Sequence, residues 1–236
     1  MLSQIDENLW AAEHDLFMPG RVHFRTRMTV IRLRGGGLVL HSPVPIDDAL
    51  AAELAELGPV KHIVAPNKVH HLYFGPAAAR YPEAETWGAP GLAKKRSDLR
   101  FGHVLTDGDP PPWHETLEPR FIGGIPFVHE TVFFHHPTRT LILTDMFFHI
   151  TASANRRSRW FFKLLRVFGR PGQSPLVRWS TKDKTAAGAA LRGVLDWDIA
   201  RAVPAHGAPL EGPGLNQRLE GLWSWHLSAA PALPTP

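Results

Sequence analysis

The apolar residues of the chain fall into short runs set apart by turn signals, and the period of each run decides what it can be. Residues 27–33 place Thr29, Ile31 and Leu33 on one face and Met28, Val30 and Arg32 on the other. Side chains alternate across a strand, so two largely apolar faces predict a strand covered on both sides. A further strand is predicted at 7–12. Gly35-Gly36-Gly37 turns the chain, and Leu38-Val39-Leu40-His41 returns as the second arm of a hairpin. Pro43 and Pro45 stop that arm. Asp47 or Asp48 then caps a helix running to Leu57, which Gly58-Pro59 ends. His62-Ile63-Val64-Ala65 is a short, mostly apolar run of the kind buried inside a sheet.

The theme repeats. A helical turn is predicted at 71–74, a short helix opened by Pro76 runs to Tyr81, and 86–88 is a strand. A β-rich stretch follows: 101–105 leads into the turn Asp107-Gly108-Asp109, and strands are predicted at 121–128 and 131–134. His136-Pro137-Thr138-Arg139 turns the chain into an apolar strand, 140–144, that ends at Asp145. Residues 157–168 have the pattern of an amphipathic helix with Trp160, Leu164 and Val167 on one face. A helix at 186–197, a strand at 200–204 and a terminal helix at 215–225 complete the series. Residues 1–228 are expected to form one domain, with a Pro- and Ala-rich tail, 229–236, that frays. Strands, then βα units, then strands, then βα again describe an α/β chain with mixed sheets.

Composition narrows the chemistry more than the fold. The 236 residues suffice for a large core, and the apolar share (44%) and charged share (20%) are those of a soluble globular protein. There is no cysteine, so disulfides and thiolate sites are excluded and any metal must be held by His, Asp or Glu. No apolar run reaches the roughly 18–20 residues of a membrane span. The N-terminus lacks the basic-then-apolar pattern of a leader, which makes a cytoplasmic location the expectation. The net charge is +4, with the excess between Arg156 and Lys184. That excess reads as the wet face of a helix, and no nucleic-acid partner is expected. Trp160, Phe161, Phe162 and Phe168 lie in the same stretch and outnumber what one buried face needs. A lid, a homodimer surface through 155–178 and a contact with an anionic membrane all remain open for it.

Candidate chemistry sits at three strand ends. Pro66-Asn67-Lys68-Val69-His70-His71 follows the buried strand, Asp145 closes the apolar strand, and Ala205-His206-Gly207 follows the last strand. In layered α/β proteins the sheet fixes the base of such loops, which makes them the usual home of functional groups. Imidazoles and a carboxylate converging from three loops form a donor set for zinc or iron.

This order of elements resembles the metallo-β-lactamase superfamily, whose pattern is a His-x-His-x-Asp-His loop after a strand, a later His, a bridging Asp and a final His after a strand. The resemblance spans roughly residues 7–206 and is strongest over Pro126-Phe127-Val128-His129, Thr131 to Pro137 and Leu141-Ile142-Leu143-Thr144-Asp145. It is similar in particular to an uncharacterised branch, a DUF4336-like domain of unknown function, in which Ser42-Pro43 and Pro66-Asn67-x-x-His70-His71 replace the usual motifs. The resemblance implies a four-layer αββα sandwich of two mixed sheets. It also implies that Asp145 is the carboxylate that bridges two metals in the family, and that His206 is the closing ligand.

The departures reshape the site. With His71 aligned on the last His of the loop motif, His70 stands for its Asp, Lys68 for its second His and Pro66 for its first. Two ligands of the first metal position are then missing, and His129 is the remaining one. His41-Ser42 stands where the family places an Asp that orients the loop. A Lys68 ammonium in the vacated position would pair with Asp145 and repel a second cation. These substitutions imply at most one divalent metal, Zn or Fe, held by His70, His71, Asp145 and His206, with His71 preferred if only one of the neighbouring pair ligates. Asp145, His129 and Lys68 are the candidate catalytic groups, His129 as a base or substrate contact. His135 and His136, beside a hairpin turn, are expected to be exposed, and His62 to lie at the rim of the core. The function expected is metal-dependent hydrolysis of a small-molecule ester, lactone, amide or phosphodiester. The alternative is a scaffold or binding protein that keeps the fold without the metal.

Overall fold

The computed structural model describes residues 1–106, 108 and 110–229. The turn residues Asp107 and Asp109 and most of the tail, 230–236, lie outside the described residues.

The first sheet has seven strands in chain order: β1 (Ser3–Asp6), β2 (Leu9–Met18), β3 (Val22–Arg32), β4 (Leu38–His41), β5 (Val60–Ala65), β6 (Glu85–Gly88) and β7 (His103–Val104). Pairings from β1 to β4 are antiparallel, and those from β4 to β7 are parallel. Each parallel pairing needs a crossover. α1 (Asp48–Leu57) joins β4 to β5, and α2 (Phe74–Arg80) joins β5 to β6. α3 (Leu92–Lys95) lies between β6 and β7. The second sheet contains β8 (Leu117–Phe121), β9 (Thr131–His135), β10 (Thr140–Leu143), β11 (Arg201–Pro204) and β12 (Leu210–Glu211), in the order β12-β11-β10-β9-β8. Only β10 and β11 run parallel there. Between β10 and β11 lie α4 (Arg156–Leu164), α5 (Pro175–Trp179) and α6 (Lys184–Leu195), and α7 (Leu215–Leu227) closes the chain.

The period of two sorts the strands into layers. Val39, Val64 and Ile31 of the first sheet meet Phe133 and Ile142 of the second in a core between the sheets. Their neighbours point the other way. Leu38, Leu40, Met28 and Val30 pack with Leu50 and Leu54 of α1, and Ile63 and Ala65 pack with Phe74 and Ala77 of α2. On the far side, Leu141, Leu143 and Ala202 pack with Leu191 and Val194 of α6 and with Leu219 and Trp223 of α7. The result is helix, sheet, sheet, helix, the αββα sandwich.

Several sequence expectations hold closely: β4 has the predicted bounds, and Asp47 caps α1 by accepting from the amide of Leu50 at 2.8 Å. Others are corrected. The strand expected at 7–12 starts later and runs further, as β2 from Leu9 to Met18, because residues 7–8, with Asn8 at φ 59°, form the turn that joins it to a separate β1. No strand forms over 122–128, because Gly124 takes φ +76° and lies so close to Asp183 that a Cβ would sit 2.0 Å from its carbonyl oxygen. The helix expected at 157–168 stops at Leu164, and Arg166 turns left-handed at φ 58°. Its buried face carries Ser158 and Phe162, while Trp160 and Leu164 are exposed. His135 is buried, its ring held under the turn by Thr138 Oγ1 at 2.7 Å from Nδ1. No helix among the described residues is long and apolar enough to cross a membrane.

Candidate metal centre

The parallel pairs β4/β5 and β10/β11 bring four strand C-termini together, and the site grows from the loops that leave them. After β5, Asn67 folds the loop on itself: its Oδ1 accepts from the amides of Val69 (2.7 Å) and His70 (2.6 Å). That turn swings His70 inward. After β10 comes Asp145, and after β11 comes His206. Gly207 follows with φ +96°, its backbone so near His149 that a Cβ would lie 1.9 Å from the carbonyl oxygen, so only glycine fits.

His70, Asp145 and His206 each offer one ligand atom, and these atoms lie within 4.8 Å of one another. The two Nε2 atoms are 3.0 Å apart. Asp145 Oδ2 is 3.6 Å from His70 Nε2, and Oδ1 is 3.9 Å from His206 Nε2. The three side chains are close to fully buried, at 6%, 11% and 5% exposed for His70, Asp145 and His206.

Each ligand atom is aimed by a second partner. His206 Nδ1 donates to the carbonyl of Arg25 at 2.8 Å, which leaves Nε2 with its lone pair facing the cluster. The ring is clamped between Phe148, stacked at 5.3 Å, and Phe24, edge-on at 4.2 Å. His70 Nδ1 lies 2.8 Å from Ser42 Oγ, just beyond β4. Ser42 holds φ 55°, an uncommon conformation for serine that the surrounding turn enforces. Asn67 Nδ2 donates to Asp145 Oδ2 and to Thr144 Oγ1, both at 2.7 Å. Glu130 lies behind them. Its two oxygens accept from the amides of Thr144 (2.6 Å) and Asp145 (2.7 Å) and so fix the end of β10.

The charges follow from burial and proximity. Burial, with His70 alongside, pushes His206 down to about 3, so its imidazole is neutral. Burial alone would raise Asp145. The neighbouring histidines and the Asn67 hydrogen bond outweigh it and hold the carboxyl below its ordinary value. Glu130 is pushed up to about 7 by burial and by Asp145. A neutral His206 imidazole and an ionised Asp145 carboxylate are protonation states that can ligate a metal.

Two nitrogen lone pairs do not approach to 3.0 Å without a proton or a cation between them. Zn–N bonds of 2.0–2.1 Å set tetrahedral donors about 3.3 Å apart. The separations of 3.0, 3.6 and 3.9 Å bracket that span. The 3.6 and 3.9 Å contacts use different Asp145 oxygens, and the 3.0 Å contact is also the length of an N–H···N hydrogen bond. With one atom from each residue within 4.8 Å, the donor set, nitrogen and oxygen only, is compatible with a single divalent ion.

The other expected site residues go elsewhere. His71 turns to Arg96, whose Nη1 lies 2.8 Å from its Nδ1, and it is not brought to the cluster. Lys68 does not pair with Asp145 by any contact the structure shows; its ammonium donates to the carbonyl of Pro126 at 2.8 Å. His129, at φ 46°, puts Nδ1 3.0 Å from the carbonyl of Pro90. Neither Lys68 nor His129 lines the cavity above the cluster. His41 is fully buried against Phe133, and burial pushes it down to about 3. Sequence reasoning gave no role to Asn67 or Glu130. The signal for Glu130 was an acid placed directly before the apolar strand 131–134.

Comparison with known proteins agrees with this architecture. The sequence model of the family described as a domain of unknown function, DUF4336, matches residues 6–159. Among solved structures, the metallo-β-lactamase TMB-1 is similar at 11% identity, covering 95% of this chain and 96% of that one, with a TM-score of 0.65. A metallo-β-lactamase from Hirschia baltica is similar at 14% identity, over 99% of both chains, with a TM-score of 0.62. FIM-1 from Pseudomonas aeruginosa, in its mono-zinc form, is similar at 13% identity, over 97% and 93% of the two chains, with a TM-score of 0.64. At such identities the likeness is one of fold. No curated protein matches the chain in sequence.

Proposed function

The chain belongs to the DUF4336 family and has the metallo-β-lactamase fold, and from that premise we propose that it is a metal-dependent hydrolase with one divalent ion, Zn or Fe, on His70, Asp145 and His206. The observation that carries the reading is the pair of facing Nε2 atoms, each with its Nδ1 engaged elsewhere. Second partners of this kind fix the tautomer and direction of a ligating imidazole. Three protein ligands with an open position are the arrangement of catalytic rather than structural sites.

When bound, such an ion supplies Lewis acidity, polarising a scissile carbonyl or phosphoryl group and making water a better nucleophile near neutral pH. The protein's own residues do the rest. Asp145 presents an ionised carboxylate whose Oδ2 is kept in place by Asn67. Glu130 prevents the strand end from shifting. Phe24 and Phe148 exclude water from the His206 ring. The hydrolysable bond is an ester, lactone, amide or phosphodiester of a small molecule.

One observation favours a second reading, a scaffold that retains the fold without metal. His71 is committed to Arg96, which leaves three candidate ligands in the cluster, fewer than the superfamily pattern has. Metal content by mass spectrometry separates the two, on protein purified without chelators or a metal-binding tag. About one equivalent in the wild type, lost in His206→Ala, supports the hydrolase reading. No metal in either protein favours the scaffold.

A further inference from the structure

The cluster forms the floor of a cavity of about 340 Å³. Its walls are hydrocarbon: Leu16 and Phe24 from the first sheet, and Phe161, Phe162, Leu165 and Val177 from the segments between β10 and α6. No lysine or arginine lines it among the described residues, although the segment 156–184 that builds part of the wall is rich in both. Ser42, His70, Asp145 and His206 meet at one end, and Thr26, Tyr73 and Ser174 are the other polar residues of a lining that is otherwise apolar.

That distribution of polarity selects a substrate. A phosphodiester or a carboxylate-bearing molecule carries a charge that only an ion on the floor cluster would meet, because the wall offers no cationic side chain to share it, whereas an uncharged ester needs no such partner. A hydrocarbon chain loses nothing by leaving water for such a wall. The rim supports the same choice: Met18 (45%), Leu72 (58%), Phe127 (59%) and Leu176 (47%) line the cavity yet stand exposed. Apolar side chains left in water around a cleft mark where an apolar ligand enters.

We propose that the cavity binds the apolar chain of an uncharged acyl ester or lactone, with the carbonyl at the His70–Asp145–His206 end. This inference rests on the hydrolase reading for the identity of the reacting bond, and on the cavity alone for the chain.

The test is displacement of the neutral dye Nile red from the purified full chain by straight-chain methyl esters from butanoate to decanoate. Dibutyl phosphate serves as the anionic comparator. Affinity is expected to rise about fourfold per added methylene until the chain fills the cavity, since each buried methylene contributes a roughly constant transfer energy. Dibutyl phosphate should leave the dye in place. Leu176→Glu and Phe127→Glu, both at the half-exposed rim and so tolerable to the fold, should each weaken methyl decanoate binding about tenfold. Affinity that does not depend on chain length, or displacement by dibutyl phosphate as strong as by methyl decanoate, would overturn the proposal. So would dye binding that vanishes as the protein associates, because the rim would then belong to a second copy. The two readings fail separately. Length-dependent binding without cleavage by the zinc-loaded protein leaves the cavity inference standing and removes the hydrolase. Cleavage of short esters with no effect of length does the reverse.

Discussion

Asn67 Nδ2 stands 2.7 Å from Asp145 Oδ2, and through this one contact the loop after β5 sets the carboxylate at the end of β10. The same side chain folds its own loop by accepting from the amides of Val69 and His70. A single amide thus positions two of the three candidate ligands. Asn67→Ala is expected to lower zinc affinity by roughly 10- to 100-fold, the usual cost of losing a group that orients ligands, with His206 still in place. Competition titration against a zinc chelator measures it, and an unchanged affinity would show that the loop needs no such brace.

The neighbouring histidines separate cleanly. His70→Ala should abolish stoichiometric metal, whereas His71→Ala should retain it, because the His71 ring faces Arg96. Burial and the nearby Lys95 and Arg96 depress the pKa of His71, which suits a neutral hydrogen-bond acceptor for that guanidinium. Metal analysis of the two variants side by side decides the matter; loss in His71→Ala with retention in His70→Ala would reverse the assignment.

Glu130 uses both oxygens on backbone amides. Glutamine has one oxygen and would face the second amide with another donor. Glu130→Gln should therefore cost about 1–3 kcal/mol, the penalty of one buried unsatisfied donor, and Glu130→Ala more than that. Urea unfolding gives the numbers, and a Glu130→Gln protein as stable as wild type would show that the amides find other partners.

Two histidines far from the cluster set an acid limit. His135 is held down to about 4 chiefly by burial. His226, whose Nε2 lies 3.0 Å from Thr181 Oγ1, is held down to about 4 by burial and by Arg178 and Lys184. Their folded values lie below the unfolded value of 6.5, so the unfolded chain binds more protons between those limits. Stability from these groups is fully present above pH 6.5 and falls as pH drops toward 4. His226→Gln should flatten that part of the stability profile. Chemical denaturation at a series of pH values is the check, and equal slopes in the two proteins would count against a buried neutral His226.

How far the sequence carries depends on the range of the forces involved. Alternation of apolar residues revealed the two-faced β3 and the bounds of β4, because each face is decided by near neighbours and the period of a strand. The capping carboxylate of Asp47 is equally local. The run 121–128 misled because Gly124 answers to Asp183, some sixty positions away. In α4, the periodicity located a helix but mistook the wet side for the dry one: Trp160 and Leu164 are exposed and Phe162 is packed. At the site, Asp145 and His206 were legible as polar residues closing apolar strands. His70 and His71 were not distinguishable, since the Asn67 turn that swings one inward is set by contacts with another loop. Glu130 left almost no trace, because its partners are backbone amides that every sequence possesses.

The first and second sheets are stapled at the site. His206 reaches across to the carbonyl of Arg25, and Arg27 Nη1 donates to the carbonyl of Pro204, two residues before it, at 2.5 Å. The side chain that would hold a metal is therefore also a fastener between the layers. Anything that tightens its grip on one partner tightens the docking of the sandwich, and anything bound only by the folded form draws the folding equilibrium toward itself. A molecule assembled this way reports the occupancy of its centre in its melting temperature, and a thermal scan across candidate ions would sort them before any substrate is known.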